Sequence, residues 1–496
     1  MRKLLGLLLV LVMALSQTAA LAQAETQIFN VLSNTMVAGF PEKTDGNLAL
    51  TTIKEKTGVQ FEVEGYSSND DYNTKIQLYI ASNELPDMWY GTVAQVLEWK
   101  NQGVIMPLTE LLEKYGQDMK PYIYPSSLDA FTYDGELWGL PSMYYFKEPG
   151  NEANSAGPII RTDWLKNLGL EMPETLSELH DVLAAFTNND PDGNGKKDTY
   201  GLGTVSDILG VASNGMNLVY NAYGITPSHW YLRDGKLVKG FMTQEFKDAV
   251  SVLRDWYKEG IIDPEFPVMS GTNLEEKLVN GTVGTAFSHA WVQDSADPRE
   301  QALRAVYPEA DLVTFAPVEG PSGQRGNPPS FGSWRTIVFS ANCKNPELLM
   351  QTLNWFAKDV ENWLLSENGI RGVHWDWNSD GKFERIKPYD DANTRYAEGF
   401  ANPSRIQTMT DRRYNTPDVI SSIATSNLYL LENKFWGTVP AMAENPDLDT
   451  DISATTLKVI QGELPLEELD AMQARYLTRG GQKIQDEVNA LWQTMQ

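Results

Sequence analysis

The chain has one cysteine, Cys343, in 496 residues, which excludes an intramolecular disulfide framework. Histidine is nearly as scarce. His180, His229, His289 and His374 are the only four, and none lies in an H-E-x-x-H or other metal-binding spacing. Basic residues number 40 against 66 acidic ones, a net charge of −26. Phosphate binding requires clustered positive charge, so nucleic acid is excluded as a partner. Beyond the first residues no apolar run is long enough to span a bilayer, and no repeat of fixed period or low-complexity tract occurs.

What is present begins with an export signal. Arg2 and Lys3 form a basic n-region, Leu4 to Leu15 an apolar h-region, and Ala22-Gln23-Ala24 a small-x-small cleavage site. The apolar run falls short of the roughly 20 residues a spanning helix needs. Residues 1–24 are therefore expected to be removed, leaving a chain that starts near Glu25. Their loss takes away two basic residues and no acid, so 38 basic residues face 66 acidic ones and the net charge becomes −28. No cysteine lies near Ala24 to carry a lipid. A freely diffusing, monomeric periplasmic or extracellular protein is expected. About 470 mature residues exceed what one hydrophobic core supports, which predicts two domains.

Alternating and helical patterns follow one another from the start. Ile28 to Leu32 and Val59 to Val63 read as strands, Asn47 to Lys56 and Asp71 to Ala81 as helices, and Leu85 to Tyr90 as a short buried strand. This is the opening of an α/β sheet. Ligands of open α/β sheets sit at strand ends, which makes Trp89 and Tyr90 candidate wall residues, with core packing the competing reading. Asp134-Gly135 predicts a hairpin turn between Tyr133 and Trp138. The stretch from Tyr144 to Gly157, rich in Gly, Pro and Asn, reads as a crossing between domains. Thr162 and Thr175 read as helix N-caps, the second with an acid three residues on. Phe246 to Glu259 is amphipathic, with Val250, Leu253, Trp256 and Tyr257 on its apolar face. Val283 to Phe287 and Arg335 to Ser340 read as strands, Pro346 to Leu365 as one long helix, and Leu466 to Trp492 as helical apart from Gly480-Gly481.

One motif has the pattern of a metal loop. Asp190, Asp192, Asn194 and Asp198 occupy positions 1, 3, 5 and 9 of an EF-hand-type loop, with Gly195 at the turn position 6 and Lys196 offering its backbone carbonyl at position 7. Hard oxygen donors on alternate residues suit Ca2+. Position 12, which usually holds a bidentate acid, is Gly201. The remaining ligand is expected from Thr199, from elsewhere in the fold, or from water. A bare Gly/Asn/Asp turn is the competing reading. A second stretch, Asp376 to Lys382, fits a calcium start less well than a hairpin turn on Asp380-Gly381, and Asp447, Asp449 and Asp451 read as a solvated face.

Five phrases then fall in one order. Glu84-Leu85-Pro86-Asp87, Asp134 to Pro141, Arg161-Thr162-Asp163-Trp164-Leu165, the calcium loop with Tyr200-Gly201, and Trp256 to Pro264 together resemble the extracellular solute-binding proteins of family 1. The likeness is to the large oligosaccharide-binding branch, which includes alginate-binding and lipoprotein-type receptors of sugar ABC importers, and it covers the mature chain. The resemblance implies a type II-like periplasmic-binding-protein fold: two α/β lobes joined by crossing strands, with the ligand cleft between them. It implies lobes divided as 25–150, 151–330, 331–372 and 373–496, the first and third segments forming the N-lobe. It also implies a structural Ca2+ held away from the sugar, membrane permease subunits as partners, and no catalytic activity.

Sugar recognition needs flat apolar surfaces for ring CH faces and convergent polar groups for hydroxyls. Of the 14 Trp residues, Trp99, Trp164, Trp256, Trp355, Trp363 and Trp492 lie in helical patterns and are expected in cores. The resemblance places ligand contacts at Trp89 and Tyr90, His289 and Trp291, Trp334 and Arg335, His374 and Trp375, and Trp436. Arg335 and Arg371 have the geometry for a uronate carboxylate, with salt bridging as the alternative. So acidic a chain repels polyanions at long range, which favours neutral or mildly charged oligosaccharides. The alternative function is a secreted glycoside hydrolase or lyase using paired carboxylates; with 66 acids available, their number does not discriminate. A peptide- or metal-delivering receptor would share the architecture but has less use for Trp in loops.

Overall fold

A computed structural model gives the fold and describes residues 26–34, 47–66, 68–141, 143–144, 156–211, 213–293, 298–329, 336–381, 383–391, 394, 409–410 and 417–494. The signal segment 1–24 and most of the Tyr144 to Gly157 stretch lie outside the described residues. Among the described residues no helix is long and apolar enough to cross a membrane.

The chain divides into two compact units. The first takes Met1–Gly91, Trp99–Lys120 and Ile337–Thr408; the second takes Thr92–Glu98, Pro121–Thr336 and Met409–Gln496. The first unit thus gives way to the second well before the crossing expected after 150 and runs on past the one expected after 372. Composition misleads at both places. The hairpin Thr132–Tyr133/Glu136–Leu137 already belongs to the second unit, and the turn-rich segment after His374 stays in the first.

In the first unit, strands Val59–Tyr66, Gln27–Asn34, Met88–Gly91 and Thr336–Phe339 are neighbours in that order. The first two run parallel, with Phe29 opposite Phe61 and their rings 6.1 Å apart. The helix Leu48–Thr57 between them starts on Asn47, whose side chain accepts from Leu50 N, and stops at Gly58 in the left-handed region. The long helix expected over 346–365 is two, Pro346–Lys358 and Val360–Asn368. Asp359 breaks it by leaving helical geometry (φ −145°, ψ 139°) and capping the second piece through Glu361 N. A competing N-cap overrode an unbroken apolar periodicity.

The second unit is built on the sheet Leu312–Thr314, Ala156–Arg161, Val283–His289, Tyr200–Leu202, antiparallel except for the last pair. Trp164 meets Phe186 edge-on at 5.2 Å over Gly284, where a Cβ would stand 2.3 Å from Phe186. Thr175 and Glu178 form the capping box of helix Leu176–Asn188. Thr162 is not a cap: Arg161 holds that position, and the Thr162 hydroxyl donates to Asp311 Oδ2 at 2.6 Å. The Asp134-Gly135 turn has φ of 55° and 78°, the type I′ geometry that its sequence calls for. Near the C-terminus, Asp449 and Asp451 open helix Leu448–Ile460, where acids complement the helix dipole, and Asp451 pairs with Arg475 and Arg479.

Candidate functional site

The loop from Asp190 to Gly201 leaves the end of helix Leu176–Asn188 and enters strand Tyr200–Leu202. Asp190 itself is left-handed (φ 48°), as are Gly193 and Gly195, so the chain coils tightly around the Asp190 carboxylate. That carboxylate accepts from Asn194 N at 3.0 Å and Gly195 N at 2.9 Å. The Asn194 amide nitrogen donates to Asp192 Oδ2 at 2.7 Å and Asp198 Oδ1 at 3.2 Å, bridging two carboxylates with the positive end of a dipole. Partial burial, and then the neighbouring Asp190 and Asp198 carboxylates, hold the Asp192 carboxyl above its ordinary range. The donors are hard oxygens, the set that calcium takes. They are spread along the turn: among the described residues no three His, Cys, Asp or Glu side chains stand together closely enough to hold a metal by themselves. Asn194 and backbone carbonyls, such as that of Lys196, would have to complete any cation shell.

Two sequence-level questions about this loop have steric answers. Thr199 is buried and its hydroxyl donates to Phe186 O at 2.8 Å, so it faces the helix and not the loop interior. Gly201 packs against the same helix, and a Cβ there would lie 2.3 Å from Leu183 O. An acid at position 12 is incompatible with this backbone packing.

The residues singled out for ligand contact fall into three groups. Trp89 is fully buried in the first unit, edge-on to Trp99 at 5.6 Å, and Tyr90 is clasped through its backbone by the Tyr72 hydroxyl at 2.7 and 2.8 Å. His374 and Trp375 are also buried in that unit. His374 Nδ1 accepts from Ile370 N at 2.9 Å, and Trp375 donates to Gly369 O at 2.9 Å and packs on Trp377 and Phe383. In the second unit, His289 ends strand Val283–His289 half-buried, Trp291 lies in the short helical turn Ala290–Gln293, and Trp436 leans edge-on against His229 at 5.3 Å. Trp334 and Arg335 lie outside the described residues.

Arg371 is committed elsewhere, bonded to Glu361 at 2.6 Å and Asp376 at 2.9 Å. Residues Trp375–Trp377 and Phe383–Arg385 form the antiparallel hairpin read from Asp380-Gly381. Of the six Trp expected in cores, Trp99, Trp164, Trp256 and Trp363 are buried, and Trp355 and Trp492 half-buried.

Sequence reasoning missed a recess of about 890 Å³ in the second unit. Its lining includes Tyr223, Tyr231, Asp248, Gln324, Arg325 and Tyr429. These residues are spread over some two hundred positions of chain, so no local signal announces them.

Structural comparison identifies the fold. The crystal structure of the alginate-binding protein AlgQ2 without calcium ion superimposes with a TM-score of 0.72 at 19% identity, covering 95% of this chain and 99% of that one. Streptococcus pneumoniae FusA in complex with kestose gives a TM-score of 0.70 at 18% identity over 95% and 99%. The fold is thus that of two-lobe solute-binding proteins. The chain belongs to the bacterial extracellular solute-binding protein family, whose model it matches over residues 49–361. Among sequence relatives, lipoprotein LipO of Bacillus subtilis is 29% identical over 72% of this chain and 70% of its own. The polygalacturonan/rhamnogalacturonan-binding protein YtcQ of the same organism is 32% identical over 51% of this chain and 48% of its own. The fructooligosaccharide ABC transporter substrate-binding protein FusA is 28% identical over 71% and 64%.

Proposed function

We propose that the protein is the substrate-binding receptor of a carbohydrate ABC importer, which captures an oligosaccharide without transforming it and delivers it to membrane permease subunits. What supports this reading is that relatives such as FusA and YtcQ are named for the carbohydrates they bind. Export by the N-terminal segment and a diffusing, monomeric life outside the cytoplasm complete the proposal. Ligand contact falls to partly exposed groups such as His289 and Trp436. Trp89, Tyr90, His374 and Trp375, being buried, serve the packing of the first unit.

In the same proposal the Asp190 to Asp198 loop holds a structural Ca2+ through Asp190, Asp192, Asn194, Asp198 and the Lys196 carbonyl. The ion would neutralise the carboxylates that, after burial, hold the Asp192 carboxyl above its ordinary range, and would tie helix Leu176–Asn188 to strand Tyr200–Leu202. An array of uncharged and uronate-containing oligosaccharides, read by intrinsic Trp fluorescence with product analysis of each hit, tests the reading. Saturable binding with the glycan recovered intact is expected. Cleavage of a bound glycan, or silence across the array, contradicts it.

A further inference from the structure

We infer that the second-unit recess around Tyr223, Asp248, Gln324 and Tyr429 is a binding site for an uncharged sugar ring. The inference rests on the receptor reading and adds to it a site and a charge class. The volume, about 890 Å³, lies within the range of small-molecule sites, about 300–1,000 Å³. Three tyrosines supply aromatic surface. Tyr231 is buried as floor, its hydroxyl accepting from Thr226 N at 2.7 Å, whereas Tyr429 is 55% exposed at the rim. An exposed tyrosine with a positive φ, 55°, is an uncommon expense of backbone freedom. The surrounding structure enforces it: Asn327 N donates to Tyr429 O at 3.1 Å, Leu431 N donates to Asn327 O at 2.9 Å, and the Arg325 guanidinium lies 5.1 Å over the ring. The ring is thereby held in place before any ligand arrives.

Charge selects the ligand class. Both guanidinium groups at the recess are already neutralised, Arg325 by Glu319 at 2.6 Å and Arg233 by Glu245 at 3.2 Å. Asp248 is exposed, accepts from Gln244 at 2.8 Å, and forms no salt bridge among the described residues. Tyr223 stands close enough that Asp248, after burial, pushes its phenol up. The exposed Asp248 carboxylate has further lone pairs to accept from sugar hydroxyls, Gln324 both donates and accepts, and tyrosine faces receive ring CH groups. A uronate would meet the Asp248 carboxylate, while among the described residues lining the recess Arg233 and Arg325 are already paired with acids and Glu432 is paired with Lys434 at 2.7 Å.

The test is calorimetric titration of the intact protein with the glycans of the array, beside Tyr429→Ala and Asp248→Ala. Both side chains are exposed, so thermal unfolding should be unchanged in the variants. The inference expects an uncharged oligosaccharide to bind and each variant to weaken it about tenfold or more. Wild-type affinity in both variants overturns the site while leaving the receptor reading intact. Binding confined to uronate-containing glycans overturns the charge class and with it the inference. If the wild-type protein binds no glycan, both fall together.

Discussion

At the scale of single residues, burial separates two roles that a sequence leaves merged. Trp89 and Trp375 sit at strand ends, where a ligand wall and a core plug read alike, because a strand buried on both faces carries the same apolar run in either case. Both are essentially inaccessible. Replacing either by Ala should cost roughly 3–5 kcal/mol in denaturant unfolding through lost burial and the cavity left behind. His229 offers a sharper residue-scale prediction. Burial, and then the charge of Lys239, depress its pKa to about 3 from the ordinary 6.5. In the unfolded chain the imidazole protonates near 6.5, so the unfolded state binds more protons and native stability falls as pH drops from about 6.5 toward 3. The contribution is full above pH 6.5 and its slope approaches about 1.4 kcal/mol per pH unit. His229→Phe should flatten this part of the stability-pH profile; an unchanged slope would place the proton elsewhere.

Among the elements, the capped helix that leads into the Asp190 loop and the two Asp-Gly turns were the most legible, because capping and turn chemistry are local. Thr175 with Glu178, Asp134-Gly135 and Asp380-Gly381 each behave as their residue types dictate. Other elements were set by partners far along the chain. Thr162 lost its expected capping role to a bond with Asp311, and Gly201 exists because Leu183 O leaves no room for a side chain. This packing gives a prediction against the simple repair of the loop. Gly201→Glu, which restores an acid at position 12, should lower the melting temperature and fail to tighten calcium binding. If the proposed ion is present, chelator should lower the melting temperature and elemental analysis should find one calcium per chain, with glycan affinity retained. A chelator-insensitive melting curve together with no bound ion would reduce the loop to a turn.

For the whole molecule, the α/β class and the division into two units were legible from element order and length. The crossings were not, since a unit boundary is a property of contacts and the composition between 144 and 157 records only a loop. The recess around Tyr429 was illegible for the same reason. Net charge acts at this scale as well. A chain with a net charge of −26 should bind an uncharged glycan with an affinity nearly independent of salt between about 50 and 500 mM, whereas any uronate affinity should rise as repulsion is screened.

The central claim is capture without chemistry. Calorimetric titration with the strongest glycan hit, followed by chromatography of the recovered sugar after prolonged incubation, tests it most directly. The account predicts a saturable one-to-one isotherm and a glycan returned unchanged. Shortened or eliminated products, or heat that continues after saturation, would contradict it.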